Sequence, residues 1–322
     1  MPGSDQKINY QIRPSKAIER KMMCELIRQL QIIQGENDFR YIGMGAKYFV
    51  DFVLFHNEFG IKNMISIEAD IANTERYLFN NPLKTIRMLF GNTNEVLPQI
   101  TDFDKQMNVI WLDYDDAFNK SMIEDIKILS HQLYPGSVFF LSCNTSYSGT
   151  TADEKKESFL NAVGDFFDEE IPNNQYTGKN LPRLIRRIIF YTLDEEIRKR
   201  NLSTNIHLDY LQVVFFTYRD GAPMMTLGVL IVDDDLKDKI DNSSLFSYSD
   251  YCIKDQNSDA YSITVPKLTY KEIQLIMKNI PMTELEYAQD KDSFYGISYK
   301  EIDNFQRIYR YYPYYVESSM NT

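Results

Sequence analysis

Three carboxylates crowd into four residues, Asp113, Asp115 and Asp116 in Trp111-Leu112-Asp113-Tyr114-Asp115-Asp116, directly after a short apolar run. Ionised carboxylates in such a place can hold a hard divalent cation through oxygen, or one can take a proton if its surroundings raise its pKa. Asp115 and Asp116 read equally as solvent-facing caps of a following helix. Upstream, Gly43-Met44-Gly45 closes one apolar run and Glu68 closes the next. A glycine turn admits close approach to the backbone, and an acid one strand–helix unit later has the spacing at which a carboxylate accepts both ribose hydroxyls. The third glycine of a dinucleotide fingerprint is absent, with Tyr48 in its place, which suits a phosphate-free nucleoside better than a pyrophosphate. After a third run, Gly91-Asn92-Thr93-Asn94-Glu95 offers Asn92 or Thr93 to an adenine edge, and also Thr93 or Asn94 as a helix N-cap.

The elements that must position these residues follow from hydrophobic spacing. Ala17 to Ile33 predicts an amphipathic helix, with Ile18, Met22, Cys24–Leu26 and Leu30 on its apolar stripe and Glu19, Arg20, Lys21, Arg28 and Gln29 elsewhere. Phe39–Ile42, Met64–Ile67, Thr85–Leu89, Val109–Leu112 and Ser137–Leu141 are short, nearly continuous apolar runs separated by helical stretches. Strands buried on both faces of a parallel sheet have this pattern. Leu211–Thr217 and Met225–Val232 flank an Asp220-Gly221 turn, which predicts an antiparallel hairpin. Residues 146–208, between the fifth strand and this hairpin, are too long for an ordinary connection and read as a helical, charge-rich insertion serving as a cap or interaction element. Beyond residue 235 the chain turns polar, then shows capping boxes at Thr269–Glu272 and Ser298–Glu301 and a tyrosine cluster at Tyr309–Tyr315. The expected plan is a domain over 1–235 and a small, mainly helical extension over 236–322.

From Phe39 to Asn144 the chain resembles the class I S-adenosylmethionine-dependent methyltransferases, most nearly the catechol-type O-methyltransferases. The resemblance rests on YIGMGAKYF, MISIEAD, GNTNEVLPQI, VIWLDYDD and GSVFFLSCN. It implies a Rossmann-like α/β sheet of five parallel strands plus an antiparallel hairpin. S-adenosylmethionine is then expected at Gly43, Met44, Gly45, Glu68, Asn92, Thr93 and Asp113. Methyl transfer would go to an oxygen or nitrogen nucleophile, with Asp113 or Asp115 taking the proton. In that family an aspartate after the fourth strand and an Asp-Asn pair after the fifth hold Mg²⁺. Asp113 and Asn144 match the first and last positions, but Cys143 stands at the middle one, and a thiol is a poor ligand for magnesium. The family's catalytic lysine is replaced by Asp116.

Composition narrows the alternatives. With 46 acidic and 35 basic side chains the formal charge is −11, against a broad nucleic-acid surface, which needs a basic stripe. Tyr10, Arg13, Lys16, Arg20 and Lys21 nevertheless form a local basic face, read either as a solvated helix face or as a contact for an anionic acceptor. Arg183, Arg186 and Arg187 can receive phosphate or RNA, although salt bridges with Asp194–Glu196 explain them sufficiently. No window is apolar enough to span a bilayer, no secretory stretch opens the sequence, and three cysteines lack CxxC spacing. A cytoplasmic protein is expected, with an acceptor substrate and with a homo-oligomer or protein partner docking through the C-terminal extension. Two other functions fit the same residues: a non-catalytic nucleoside-binding sensor or scaffold, and a nucleotide-processing enzyme using the aspartates with a divalent ion.

Overall fold

The structure is a computed structural model that describes residues 13–35, 38–164, 171–204 and 206–313. In chain order its elements are α1 (Pro14–Gln34), β1 (Arg40–Gly43), α2 (Val50–Phe59), β2 (Asn63–Glu68), α3 (Thr74–Asn80), β3 (Ile86–Phe90), α4 (Thr93–Val96), β4 (Asn108–Ala117), α5 (Lys120–Gln132) and β5 (Val138–Asn144). There follow α6 (Ala152–Val163), α7 (Asn180–Ser203), β6 (Leu208–Asp220), β7 (Ala222–Asp233), α8 (Asp234–Asp241), α9 (Leu245–Tyr248), β8 (Tyr261–Ile263), α10 (Tyr270–Met277), α11 (Glu284–Gln289) and α12 (Tyr299–Ile308). One sheet runs in the order β3-β2-β1-β4-β5-β7-β6-β8. Strands β1 to β5 are parallel, β7 is antiparallel to both β5 and β6, and β8 is parallel to β6.

The continuous apolar runs have the cause expected of them. Tyr41, Val109, Trp111 and Phe140 pack on one face with Ile18, Met22, Leu26 and Leu30 of α1 and Phe52 and Phe55 of α2. Their neighbours Ile42, Ile110, Leu112, Phe139 and Leu141 pack on the other face with Ile123, Ile126 and Leu129 of α5 and Ile185, Ile189 and Leu193 of α7. Each large aliphatic side chain shut away in this manner contributes about 1.5–3 kcal/mol. The predicted hairpin forms, tighter than its sequence pattern suggests: the strands reach Asp220 and Ala222, and Gly221 alone turns the corner at φ 110°.

Two segments differ from expectation. The 146–208 insertion is not only a cap: α7, with Phe159 and Val163 of α6, packs into the helical layer beneath the sheet, while Lys155 of α6 and Tyr176 reach the strand ends. The extension after residue 235 is not only helical. Its Tyr261–Ile263 adds an eighth strand against Phe216–Tyr218, too short and too polar in context to show a period. Farther on, α10 to α12 enclose a separate apolar cluster containing Ile276, Ile302 and Phe305. Of the tyrosine cluster, Tyr311 donates to Glu25 on α1, and Tyr314 and Tyr315 lie outside the described residues, as does Tyr10 of the basic face. The three cysteines are buried thiols. Among the described residues no helix is long and apolar enough to cross a membrane.

Candidate functional site

The register of the parallel strands brings the sequence motifs to one edge. Gly43 lies opposite Ser66 of β2 and Trp111 of β4. Glu68 and Asp113 stand two residues beyond those partners, so the glycine turn and both carboxylates occupy the carboxyl ends of three adjacent strands. The turn is shaped by its own packing. A Cβ on Gly45 would lie 2.6 Å from the Phe49 ring and 2.9 Å from Ser66 Oγ, and the Gly45 N–H donates to that hydroxyl at 3.1 Å. Phe49 itself adopts a left-handed φ of 49° to start α2. Met44 is half-buried against the α5–α7 side of the core. Glu68 Oε1 accepts from the Asp70 N–H at 3.0 Å, and the Glu68 carbonyl accepts from the Gly91 N–H at 3.0 Å, tying the end of β2 to the turn after β3.

Asn92 and Thr93 part company. Asn92 is the exposed N-cap of α4, its N–H donating to Glu95 Oε2 at 3.3 Å, so the cap falls one residue earlier than Thr93. Thr93 is buried and donates to Asp125 Oδ2 on α5 at 2.5 Å; the Tyr114 hydroxyl reaches the same oxygen at 2.5 Å. Burial pushes the Asp125 carboxyl upward, and these two donors hold it down only in part. Beyond Asp113 the register shifts: β4 advances four residues to Ala117 while β5 advances two to Asn144. The bulge turns Tyr114 toward Thr93 and leaves Asp115 and Asp116 exposed.

Sequence reasoning missed the partner of Asp113. Lys16 Nζ donates to Asp113 Oδ1 at 2.7 Å, approaches Glu19 Oε2 at 2.8 Å, donates to the Tyr218 hydroxyl at 3.1 Å and lies 4.2 Å above the Trp111 ring. Beside it Arg20 Nε pairs with Asp51. Lys16, Glu19 and Arg20 are 0%, 0% and 5% exposed, which corrects the reading of this helix side as a solvated or substrate-facing basic face. Burial alone would lower the Lys16 pKa, but Asp113 and Glu19 overcome it and raise the pKa, so the side chain is an ammonium ion. Burial drives the Glu19 carboxyl upward despite Lys16. Asp220 completes the arrangement: its two oxygens accept the Ser15 N–H at 3.2 Å and the Lys16 N–H at 3.0 Å, a carboxylate placed on the positive end of the α1 dipole.

The donor set expected of a magnesium site does not fit one. Cys143 is fully enclosed in the α5–α7 core, where burial pushes its thiol upward. Asp113 Oδ1 is occupied by the Lys16 ammonium, and Asn144 Oδ1 accepts the Ser146 N–H at 2.8 Å. Among the described residues no three His, Cys, Asp or Glu side chains gather as metal ligands do.

A cleft of about 880 Å³ opens over the ends of β5, β6, β7 and β8, linked to Asp113 through Tyr218 and Lys16. Pro14 and Ser15 of α1, Tyr147, Lys155 of α6, Tyr176, Tyr218 and Met224 line it. Tyr218 thus touches both the cleft and Lys16. A second cavity of about 740 Å³ between α5 and α7 lies away from the strand ends. Two of the insertion arginines find other partners than Asp194–Glu196 among the described residues: Arg186 is buried and donates to the Ser258 carbonyl at 2.9 Å, and Arg183 pairs with Asp259.

No curated protein matches this chain. Among solved structures it is similar to the O-methyltransferase TomG from Streptomyces achromogenes, at 11% identity over 71% of this chain and 93% of that one, TM-score 0.37. It is similar to an amino pentose methyltransferase from Micromonospora echinaspora at 15% identity, over 38% and 48% of the two chains, TM-score 0.28. For a mutant of MtNAS the identity is 8% and the coverage 65% of this chain and 59% of that one, TM-score 0.31; the chain therefore spans less than two thirds of that protein. A model of the family described as "Putative O-methyltransferase" matches residues 8–320. With the match running through nearly the whole sequence, the protein belongs to this O-methyltransferase family.

Proposed function

We propose that this protein is an S-adenosylmethionine-dependent methyltransferase acting on an oxygen or nitrogen nucleophile. One observation carries the reading: Gly43–Gly45, Glu68 and Asp113 end three neighbouring parallel strands where the sheet order reverses, the place at which open α/β sheets bind ligands. The Gly45 N–H, which a pyrophosphate loop would offer to its anion, is already given to Ser66. That supports a cofactor without phosphate. When bound, the cofactor supplies a sulfonium-activated methyl group for in-line displacement.

In this reading Glu68 accepts the ribose hydroxyls, held at its post by the Asp70 N–H. Asn92, exposed at the start of α4, meets the adenine edge. Met44 walls the turn, and Thr93 fixes the loop from behind through Asp125. Asp51 and Asp113 pair with Arg20 and Lys16, and the Asp113 carboxylate at the strand end would attract the cofactor's cationic centre in a poorly solvated cleft. Asp113 Oδ1 belongs to Lys16, while Oδ2 has no hydrogen-bond partner among the described residues and is our candidate acceptor for the nucleophile's proton. Asp115, exposed on the bulge, is the alternative. Positioning of the acceptor in the neighbouring cleft would provide much of the rate.

A second reading, a binder without turnover, draws on the same salt bridge, because a carboxylate already shared with an ammonium ion is a weaker base. Calorimetric titration with S-adenosylmethionine, S-adenosylhomocysteine, NAD and ATP tests the proposal. Binding of the first two only, with methyl transfer to added nucleophiles, supports the enzyme. Binding without transfer supports the sensor, and preference for NAD or ATP ends both readings.

A further inference from the structure

The cleft over the ends of β5 to β8 carries a charge opposite to that of the protein. Lys155 of α6, Lys179 and Arg183 at the start of α7, Arg219 at the hairpin and Lys267 after β8 line it, against only Asp220 and Asp259. Both carboxylates are already engaged: Asp220 caps α1, and Asp259 pairs with Arg183. Lys155, Lys179, Arg219 and Lys267 have no ion-pair partner among the described residues. Four segments of chain thus bring unneutralised cations to one concavity, in a protein with eleven more acids than bases.

Between these cations the walls mix apolar and aromatic side chains, among them Tyr147, Tyr176 and Met224, with hydroxyls such as Ser146 and Thr217. The volume, about 880 Å³, is that of a small-molecule site. Tyr218 joins the cleft to the Lys16–Asp113 pair.

We propose that the methyl acceptor is a small molecule with an apolar body and a carboxylate or phosphate group, the anion being held by the Lys155, Lys179, Arg219 and Lys267 rim. This rests on the methyltransferase reading and names its substrate class. The expected basic face on α1 contributes nothing to it, since Lys16 and Arg20 are interior; the cations come instead from segments that the sequence leaves far apart.

The test is calorimetric titration of the full chain with 4-hydroxybenzoate, 4-hydroxyphenyl phosphate and the neutral 4-hydroxybenzyl alcohol, each with and without S-adenosylhomocysteine. Both anions, or one of them, should bind at least tenfold more tightly than the alcohol, and their ratio separates carboxylate from phosphate. The double variant Lys155→Glu/Lys267→Glu should weaken anion binding at least tenfold and leave S-adenosylhomocysteine affinity within about twofold. Lys179→Glu/Arg219→Glu is the independent pair should the first fail to fold. Equal binding of the alcohol, no binding of any probe, or indifference to charge reversal overturns the proposal, as does tighter binding of a short RNA through the same lysines. Loss of S-adenosylhomocysteine binding in the wild type, with anion binding intact, would overturn the cofactor reading instead.

Discussion

The two halves of the sheet's carboxyl edge are built on different principles. In the β1–β3 half, Gly43–Gly45, Glu68 and Asn92 each sit at the end of their own strand or in the turn beyond it, all within some fifty residues of chain. In the β5–β8 half, the cleft takes its lining from the start of α1, from both sides of α6, from the β6–β7 hairpin and from the segment after β8. The first half is a row of local motifs set in register by parallel pairing. The second is assembled by tertiary packing, with few residues that announce themselves locally. A cofactor site common to many proteins and an acceptor site particular to one would be expected to differ in this direction.

Lys16 stands between the halves, and its removal tests whether they are separable. Lys16→Met should cost about 3–5 kcal/mol of stability in denaturant unfolding, because Asp113 and Glu19 lose the cation that compensates them in the interior. A loss under 1 kcal/mol would mean that the salt bridge does not hold α1 to the sheet. Confined to the cofactor half, Glu68→Ala should weaken S-adenosylmethionine binding about 10- to 100-fold, the range of hydrogen bonds to a charged group, with anion binding in the cleft unchanged. Thr93→Val distinguishes scaffold from ligand contact. It should lower stability by about 1–2 kcal/mol through the lost hydrogen bond to Asp125 Oδ2, which Tyr114 alone then serves, and leave cofactor affinity alone; a parallel loss of affinity would return Thr93 to the ligand.

The smallest effect is one of pH. Burial raises the Glu19 pKa in the folded state above the ordinary 4.5. The folded protein therefore binds this proton more tightly than the unfolded chain. Ionisation of Glu19 destabilises the fold above its folded pKa, and the penalty fades as pH falls toward 4.5. Glu19→Gln should accordingly be more stable than wild type near neutral pH, the difference narrowing on acidification and flat below about 4.5. Denaturant midpoints across pH 4–8 would show it, and a constant difference would refute the burial argument.

Much of the first half was legible before any coordinates. Strands buried on two faces are necessarily apolar throughout, so β1 to β5 stood out as runs, and Asp220-Gly221 marked the hairpin. The α1 cluster was not legible because Lys16, Glu19 and Arg20 have the residue types and spacing of a wetted helix face. Their meaning depends on Asp113 and Asp51, 97 and 31 residues from their partners Lys16 and Arg20. Thr93 was ambiguous for a related reason: a threonine after a strand can cap, bind or brace, and its bracing partner Asp125 lies on the next helix. β8 lacks the length over which a period of two can be seen.

The cap on α1 also constrains how the chain acquires its fold. The amides at the head of this helix are satisfied by a side chain 204 and 205 positions later, and closing so large a loop is entropically expensive. The hairpin follows α1 by some two hundred residues, so the polar interior of α1 finds no complement until the β6–β7 strands exist. Contacts of such high order slow assembly. The helix is therefore among the last elements secured, and until then its apolar stripe lacks the sheet that covers it.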